Sequence, residues 1–472
     1  MKNSFFVAAA LVVMAGGGHA SSRAETRGVR VLDFPVAVTR ALRDSPFLRQ
    51  AAARRRMDQA ALDALRGRLL PHLVLLWQAQ RSNDPLAVLG EELGERKVSF
   101  AALGLGDYTG AESLTSIPPT LNQPPYVNEF TTALLVTVPV WSWGARREAL
   151  AASDARSAAA LDLFRAAHAA VIFNVLRRYA GVASARALLR AARADRRAAH
   201  VLFLVTRARS RRGLALPSDL LRAQVAYARS GLLVGRMVSG LKTALADFRL
   251  AVGASPARLL VPAPTSVSVL PLRGTLVRAE NEALATNPEI DALVRRTVAR
   301  RRLVAAARDA RWPRLDLSVE HAWNDARPGF RAPSNTFLAT VRWPLFTFGA
   351  QRGAIGVARA RWRLSRNKLV ESRRRLRARV ARLWREVELA RTRLKVASLA
   401  RVAALASVRA LFLRYRRGLA TLGSVLRAQA RVEHAQAEVV EARYGFLLGR
   451  AALRFALGRL RLRDVVSSRS LR

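Results

Sequence analysis

Few side chains in this sequence are of the kinds that perform chemistry, and none are spaced for it. Cysteine is absent from all 472 residues. That excludes disulfides, thiolate metal sites, a cysteine nucleophile and a lipidated N-terminal cysteine. The six histidines, His19, His72, His168, His200, His321 and His434, never fall at the i, i+4 spacing with which a helix offers two ligands to zinc. There is no glycine-rich phosphate loop and no G-x-S-x-G nucleophile elbow. His168 follows the helical repeat of its neighbours and reads as a packed or lumen-facing side chain. The expectation is a chain with no catalytic residues, no metal site and no cofactor.

Charge is abundant but dispersed. Lysine and arginine number 80 against 33 acidic residues, giving +47 and a pI of 11.9. Such a balance ordinarily suggests nucleic acid. Here the arginines run along the whole chain on the polar faces of long amphipathic segments, and no zinc-finger, RNP or helix-turn-helix signature accompanies them. A nucleic-acid partner is not expected.

The elements are set by internal duplication, which has to be read first because it decides the fold. Arg211-Arg-Gly-Leu-Ala215, followed after five residues by Leu221-Arg-Ala-Gln224, recurs as Arg416-Arg-Gly-Leu-Ala420 and Leu426-Arg-Ala-Gln429, an offset of 416 − 211 = 205. Pro139, Gly144 and Gly253 map onto Pro344, Gly349 and Gly458 at the same offset. Upstream, Ala41, Leu42, Pro46, Arg66, Pro71, Leu73 and Leu75 map onto Ala283, Leu284, Pro288, Arg308, Pro313, Leu315 and Leu317, an offset of 288 − 46 = 242. The difference of 37 places an insertion between Pro71 and Pro139 of the first copy.

Ahead of the first copy, Lys2, the apolar run Phe5–Met14 and a small-x-Ala site after Ala20 or Ala24 read as a secretory signal over 1–24. No other unbroken apolar run reaches the ~18 residues of a spanning helix. Repeat 1 is expected over 31–253, with strands at 72–81 and 129–140 and helices at 144–212 and 218–252. A linker follows over 254–273, then repeat 2 over 274–458, with strands at 314–323 and 336–346, helices at 349–417 and 424–457, and a tail over 459–472.

Periodicity supports these elements. From Gly144 to Gly213 there is no proline, and Phe164, Val171, Val175, Tyr179 and Val182 recur at three- and four-residue spacing. Their images, Leu369, Leu376, Val380, Trp384 and Val387, are all apolar. A helix of 213 − 144 = 69 residues would reach about 100 Å, the length of a coiled-coil strut. Each strut ends at Arg-Arg-Gly, which suits a left-handed C-terminal turn. In the strands, Leu315, Leu317 and Val319 alternate with Asp316, Ser318 and Glu320, while Phe337, Ala339, Val341 and Trp343 share one face. Short segments with one apolar and one polar face, flanked by Trp77, Trp141, Trp143, Trp323 and Trp343, are the pattern of membrane β-strands with an aromatic belt. A soluble hairpin packed on the helices satisfies the alternation too. Four strands cannot close a barrel, so strands in lipid must be pooled from several chains.

This order of signal, helix, strand pair and long helical hairpin, repeated twice, resembles the TolC family of outer-membrane efflux and secretion ducts. The residues that carry the resemblance are the pairs Pro46 with Pro71 and Pro288 with Pro313, the corners Pro139-Val-Trp-Ser-Trp-Gly144 and Pro344-Leu-Phe-Thr-Phe-Gly349, and the turns Gly213-Leu214-Ala215 and Gly418-Leu419-Ala420. The resemblance covers Val31 to Gly458. It implies a mixed α and β membrane protein whose homotrimer forms a 12-stranded barrel in outer-membrane lipid, continuous with a 12-helix periplasmic tunnel.

The same resemblance makes Ser82–Asn128 the larger external loop, Asn324–Asn335 the smaller one, and the linker with Pro256, Pro262, Pro264 and Pro271 an equatorial collar. It implies a passive duct in a tripartite efflux system, with the two Gly-Leu-Ala turns meeting a periplasmic adaptor that leads to an inner-membrane pump. Asn83-Asp84-Pro85-Leu86 and Leu121-Asn122-Gln123-Pro124 resemble loops of ducts paired with resistance-nodulation-division pumps. A type I protein secretion duct of the same fold, or a periplasmic coiled-coil scaffold, is the alternative.

The family's gate places a Tyr415–Asp219 hydrogen bond at the tunnel mouth, although Asp219 also sits where a helix cap would. Where relatives carry a basic residue and two acidic ones, this chain has Ala420, Ser424 and Arg427. With Arg222, Arg427 predicts a mouth that prefers anions.

Overall fold

The computed structural model describes residues 30–100, 103, 119–254, 260–263, 267–271 and 274–467. The expected signal segment lies outside them, as do parts of the larger loop, the linker and the end of the tail.

The duplication is visible in helix lengths. Helices α1 (Phe34–Asp44) and α7 (Leu276–Thr286) are both 11 residues long, and α2 (Pro46–Gly67) and α8 (Pro288–Asp309) both 22. Helix α5 (Ala145–Arg211) matches α9 (Ala350–Arg416) at 67 residues, and α6 (Pro217–Ala251) matches α10 (Leu422–Ala456) at 35. Local chemistry fixes the starts. Ser45 and Asn287 accept hydrogen bonds from the first free amides of α2 and α8, and a proline opens each helix. The return helices begin at Pro217 and Leu422, one and two residues before the expected positions. The second is capped by the Thr421 side chain accepting from the Ser424 amide.

Strands β2 (His72–Ser82), β3 (Val127–Trp141), β6 (Arg314–Asp325) and β7 (Pro333–Arg342) form one antiparallel sheet in the order β2-β3-β6-β7. Cross-strand register separates its faces. Leu73, Leu75 and Trp77 lie opposite Val136, Leu134 and Thr132, and Val136 and Val138 lie opposite Val319 and Leu317. Val319 and Leu315 in turn face Phe337 and Val341. The reverse face carries Gln78 opposite Thr131, Gln80 opposite Glu129, Thr137 opposite Ser318, Asp316 opposite Thr340 and Glu320 opposite Thr336. A 3.3 Å hydrogen bond joins the Thr137 and Ser318 hydroxyls.

Six of the eight strand ends differ from expectation by one to four residues, and two of them bear on proline. β3 runs on through Pro139 to Trp141, where a register shift absorbs the missing proline amide. β7 stops at Arg342, before Trp343 and Pro344, because proline cannot extend the ladder. At both corners into the long helices a bulky residue and a glycine take consecutive positive φ, Trp143 (47°) with Gly144 (92°) and Phe348 (45°) with Gly349 (88°). The pair reverses the chain in two residues, as in a type I′ turn.

Linker and tail are more ordered than a connector and an end. β4 (Leu260–Pro262) pairs in parallel with β1 (Arg30–Leu32), and β5 (Val267–Val269) pairs antiparallel with β8 (Val465–Ser467). Tyr179 and Arg186 of α5 donate to the carbonyls of Ala263 (3.1 Å) and Pro262 (2.7 Å), and Arg454 of α10 donates to Leu270 (3.1 Å). The linker is thus tied to both hairpins.

The main core lies at that level. Val171, Val175, Tyr179 and Val182 are buried in it with Phe34, Phe248 and Leu260, and Leu376 and Val380 anchor a second core with Leu453 and Leu457. Among the described residues two helices, α5 and α9, contain 18-residue windows apolar enough by composition to cross a membrane. This qualifies the expectation drawn from unbroken runs, because each window tolerates a charge or two. Half of the α5 window is inside the core, but only 6% of the α9 window is.

Candidate functional site at the hairpin tips

Both hairpin tips end in the same backbone device. Gly213 (φ 72°) and Gly418 (φ 82°) occupy the left-handed position, and the amides of Leu214 and Leu419 reach back to the carbonyls of Arg209 and Arg414 at 2.9 Å. The turn leaves Leu214 and Leu419 exposed, with Ala215 and Ala420 half-buried beneath them.

Just inside the tips the two hairpins touch through a small core of Leu202, Ala223, Tyr415, Leu422 and Val425. Tyr415 is only 3% exposed, so its hydroxyl requires a partner within the protein. That partner is Thr206 of α5, 2.9 Å away. The Thr206 hydroxyl gives its own hydrogen to the Leu202 carbonyl at 2.9 Å, so the Tyr415 hydroxyl is the donor of the pair. Over the ring lies the Arg209 guanidinium, 4.9 Å from the centroid. Arg209 donates to the carbonyls of Tyr415, Arg416 (3.3 Å) and Leu214 (3.1 Å). One arginine, itself in the last turn of α5, therefore satisfies carbonyls at the C-terminal end of α9 and in the turn that follows α5, and complements both dipoles.

The expected Tyr415–Asp219 hydrogen bond is not formed in this protomer, because Thr206 holds the tyrosine hydroxyl. Asp219 does not cap α6 either. The N-cap position is Leu216, and the Asp219 carboxylate stands in the first turn 3.7 Å from Arg222. Ser424 is absorbed in its own helix start, its hydroxyl donating to the Thr421 carbonyl at 2.6 Å. Arg427 is exposed beside Gly423. Arg209 and Thr206 were not singled out in the sequence. His168, read as packed or lumen-facing, lies exposed on α5 rather than packed.

Electrostatically the tip is one-sided. Between 205 and 222 and between 411 and 431 the only acidic residue is Asp219, against Arg207, Arg209, Arg211, Arg212 and Arg222 on one hairpin and Arg414, Arg416, Arg417, Arg427 and Arg431 on the other.

The profile of the outer membrane efflux protein family matches residues 37–254 and 280–459, both repeats without the linker between them. The chain belongs to that family. It is accordingly an outer-membrane protein that reaches into the periplasm, and the family is one of channels rather than enzymes. Among curated proteins, Protein CyaE of Bordetella pertussis is 29% identical over 253 residues, 52% of this chain, and the match spans only 53% of that relative. Solved structures share the fold. A membrane protein from Pseudomonas aeruginosa superposes with a TM-score of 0.76 at 19% identity, covering 90% of this chain and 93% of its own. The outer membrane protein VceC of Vibrio cholerae gives 0.74 at 19% over 90% and 96%, and the CmeC outer membrane channel of Campylobacter jejuni 0.75 at 15% over 90% and 85%.

Proposed function

We propose that this outer membrane efflux protein is the passive duct of a tripartite export system. Three copies pool their strands into a barrel of 3 × 4 = 12 and their long hairpins into a tunnel across the periplasm. The observation that carries this reading is the sheet with two unpaired edges. Among the described residues β2 and β7 have no neighbour on their outer sides, although one face of the sheet is largely apolar and the polar residues gather on the other. Open edges are excluded from lipid, and a closed ring of three sheets removes them. The bare apolar stretch of α9 agrees with it. Val396, Leu399, Val402 and Leu413 are more than half exposed in one protomer and would be covered by the next.

At the far end the exposed Leu214 and Leu419 of the Gly213-Leu214-Ala215 and Gly418-Leu419-Ala420 turns offer the contact for a periplasmic adaptor, which couples the duct to an inner-membrane pump of the resistance-nodulation-division type. The clasp of Thr206, Arg209 and Tyr415 holds the hairpins together and keeps the mouth narrow. Asp219 takes part only through Arg222. With Arg222 and Arg427 in three copies, Ser424 neutral and acidic residues nearly absent, the mouth attracts anions. No step of this function needs a catalytic group or a cofactor.

The test is the mass of the detergent-extracted protein alongside membrane fractionation. A trimer from the outer membrane supports the duct, and a detergent-independent monomer in the periplasm refutes it. For the mouth, the reversal potential in a salt gradient across a planar bilayer should show anion preference. Cation preference would sink that part of the reading.

A further inference from the structure

The 37-residue insertion of the first repeat contains an element with a chemical problem of its own. Helix α3 (Pro85–Gly94) starts three residues after β2 and is capped by Asp84, which accepts from the amides of Leu86 (3.1 Å) and Ala87 (2.9 Å). Its other end reaches the far side of the sheet. A side chain at Gly94 would touch Asn324 of β6, and Arg96 donates to the Pro333 carbonyl of β7 at 2.8 Å. Ten residues of helix span about 15 Å, close to the roughly 14 Å from the first to the fourth strand of a sheet. α3 therefore crosses the external rim of all four strands.

What it buries there is acid. Glu91 is 3% exposed and neither of its carboxylate oxygens has a hydrogen-bond partner. Glu95 is 9% exposed, with Oε1 likewise unpartnered. Glu129 from β3 acts on both, and Asp325 at the end of β6, itself 6% exposed, joins the cluster through Lys97. The cations at this rim are committed to other members of the cluster. Lys97 lies 2.7 Å from Glu95 and 3.9 Å from Asp325, and Arg331 lies 3.7 Å from Asp325. None pairs with Glu91. Burial first, then the charges of Glu129 and Glu95, hold the Glu91 carboxyl above its ordinary range. A bare carboxylate in this place is costly, so something must neutralise it. Protonation removes that charge with no further partner, and among the described residues no set of acids is arranged to hold a metal ion instead.

We propose that α3 is a proton-held lid on the external mouth, docked across the sheet rim while Glu91 is protonated and released when Glu91 ionises beside Glu95 and Glu129. The docked end is also under conformational tension. Arg96 adopts a left-handed φ of 60°, a position that favours glycine, and this directs its guanidinium to Pro333 and Lys97 to Asp325. These contacts hold the lid, and the ionised acids oppose them. The sign follows from the raised carboxyl. The docked state binds the proton more tightly than the free one, so docking is complete at low pH and is lost as pH rises through the docked value of Glu91. The lid closes in acid.

The experiment uses the full chain in detergent. Because the sequence has no cysteine, Leu93→Cys, at an exposed site on α3, gives a single position for a spin label. Its mobility is followed from pH 4 to pH 8.5 in otherwise wild-type protein, in E91Q and in E92Q. The expected result is an immobile label in acid and a mobile one in base. The midpoint should be displaced upward by at least one pH unit, or abolished, in E91Q and unchanged in E92Q. Should E91Q fail to fold, E95Q removes part of the same repulsion and must also raise the midpoint. Constant mobility across the range overturns the proposal, as does a midpoint that E91Q leaves in place. Recovery of the immobile signal at pH 8 on adding calcium would replace the proton with a divalent cation and overturn it too. The readout is the motion of α3 itself, so it stands or falls separately from the mass and conductance that test the duct.

Discussion

If Arg209 clasps the hairpin tips, replacing it should loosen the mouth far more than any other single change there. Arg209→Ala removes the cation–π contact over Tyr415, about 0.5–2 kcal/mol, and charge-assisted hydrogen bonds to carbonyls of both hairpins, about 1.5–3 kcal/mol. Half-burial of the guanidinium keeps the total near the middle of these ranges, on the order of 3 kcal/mol per protomer. A bias of that size shifts a closed–open equilibrium by roughly 150-fold. Arg209→Lys keeps the charge but loses the planar fork, so its effect should be smaller, about tenfold. Tyr415→Phe deletes only the hydroxyl. Thr206 still donates to Leu202, which leaves no buried donor stranded, and the loss should be near 1 kcal/mol, or roughly fivefold.

The assay is single-channel conductance of the reconstituted protein, with the open fraction compared across Arg209→Ala, Arg209→Lys, Tyr415→Phe, Thr206→Val and the double variant Thr206→Val/Tyr415→Phe. The double variant should be no worse than Thr206→Val alone, because Thr206→Val already breaks the bond to Tyr415 as well as the one to the Leu202 carbonyl. Asp219→Asn is the discriminating control. Its carboxylate faces Arg222 across 3.7 Å near solvent, so it should change the open fraction by less than about fivefold. An intact protein in which Arg209→Ala conducts like wild type, or in which Asp219→Asn opens the mouth more than Tyr415→Phe does, refutes the reasoning.

Three further outcomes follow from the geometry. Burial, and then the charge of Glu433, push the Asp195 carboxyl of α5 up to about 6 from 3.8. The native state therefore holds that proton more tightly than the unfolded one, and stability is greatest below about pH 4 and falls toward pH 6. Solvent screening reduces the cost to on the order of 1 kcal/mol, so Asp195→Asn should raise the Tm at pH 7 by a degree or two and leave it unchanged at pH 4. Gly458→Ala should prevent folding where Gly418→Ala costs only about 1–2 kcal/mol for its left-handed backbone. A methyl at 458 would stand 2.4 Å from the Thr286 carbonyl, whereas at 418 the nearest atom is 3.8 Å away; thermal melts of the two variants decide this. On the sheet, Val319→Arg places a charge on the apolar face and should cost about 2–4 kcal/mol. Ser318→Arg faces the polar side and should be extracted as wild-type protein is; heat-modifiable gel mobility separates the two.

Much of the scaffold was legible because two copies vote on each position. Tyr179 and Trp384, or Val175 and Val380, sit at equivalent points of different cores, and a position apolar in both copies is buried for the same reason twice. The strand faces were legible from alternation alone, since Leu317 and Ser318 differ in a way only a two-sided sheet explains. The collar was not. Its strands are three residues each, too short for any period to register, and β8 joins β5 across some two hundred positions.

The clasp escaped for a deeper reason. Duplication reveals what the halves share, and Thr206, Arg209 and Tyr415 do not work as a shared set. The images of Thr206 and Tyr415 at the 205-residue offset are Leu411 and Ser210, and Arg209 maps onto Arg414, which is exposed. In a run where every second or third residue is arginine, nothing in the sequence marks the one that lies over a tyrosine ring. The contact depends on which turn of α5 meets which turn of α9, a register set by the cores far above the tip. The acid-bearing α3 lies in the insertion that the second copy lacks, so the same blindness applies. In a duplicated chain the common positions build the duct, and the positions where the copies have parted are where gating must be sought. A buried polar residue whose image is apolar, as Thr206 is against Leu411, is the signal that would have found the mouth.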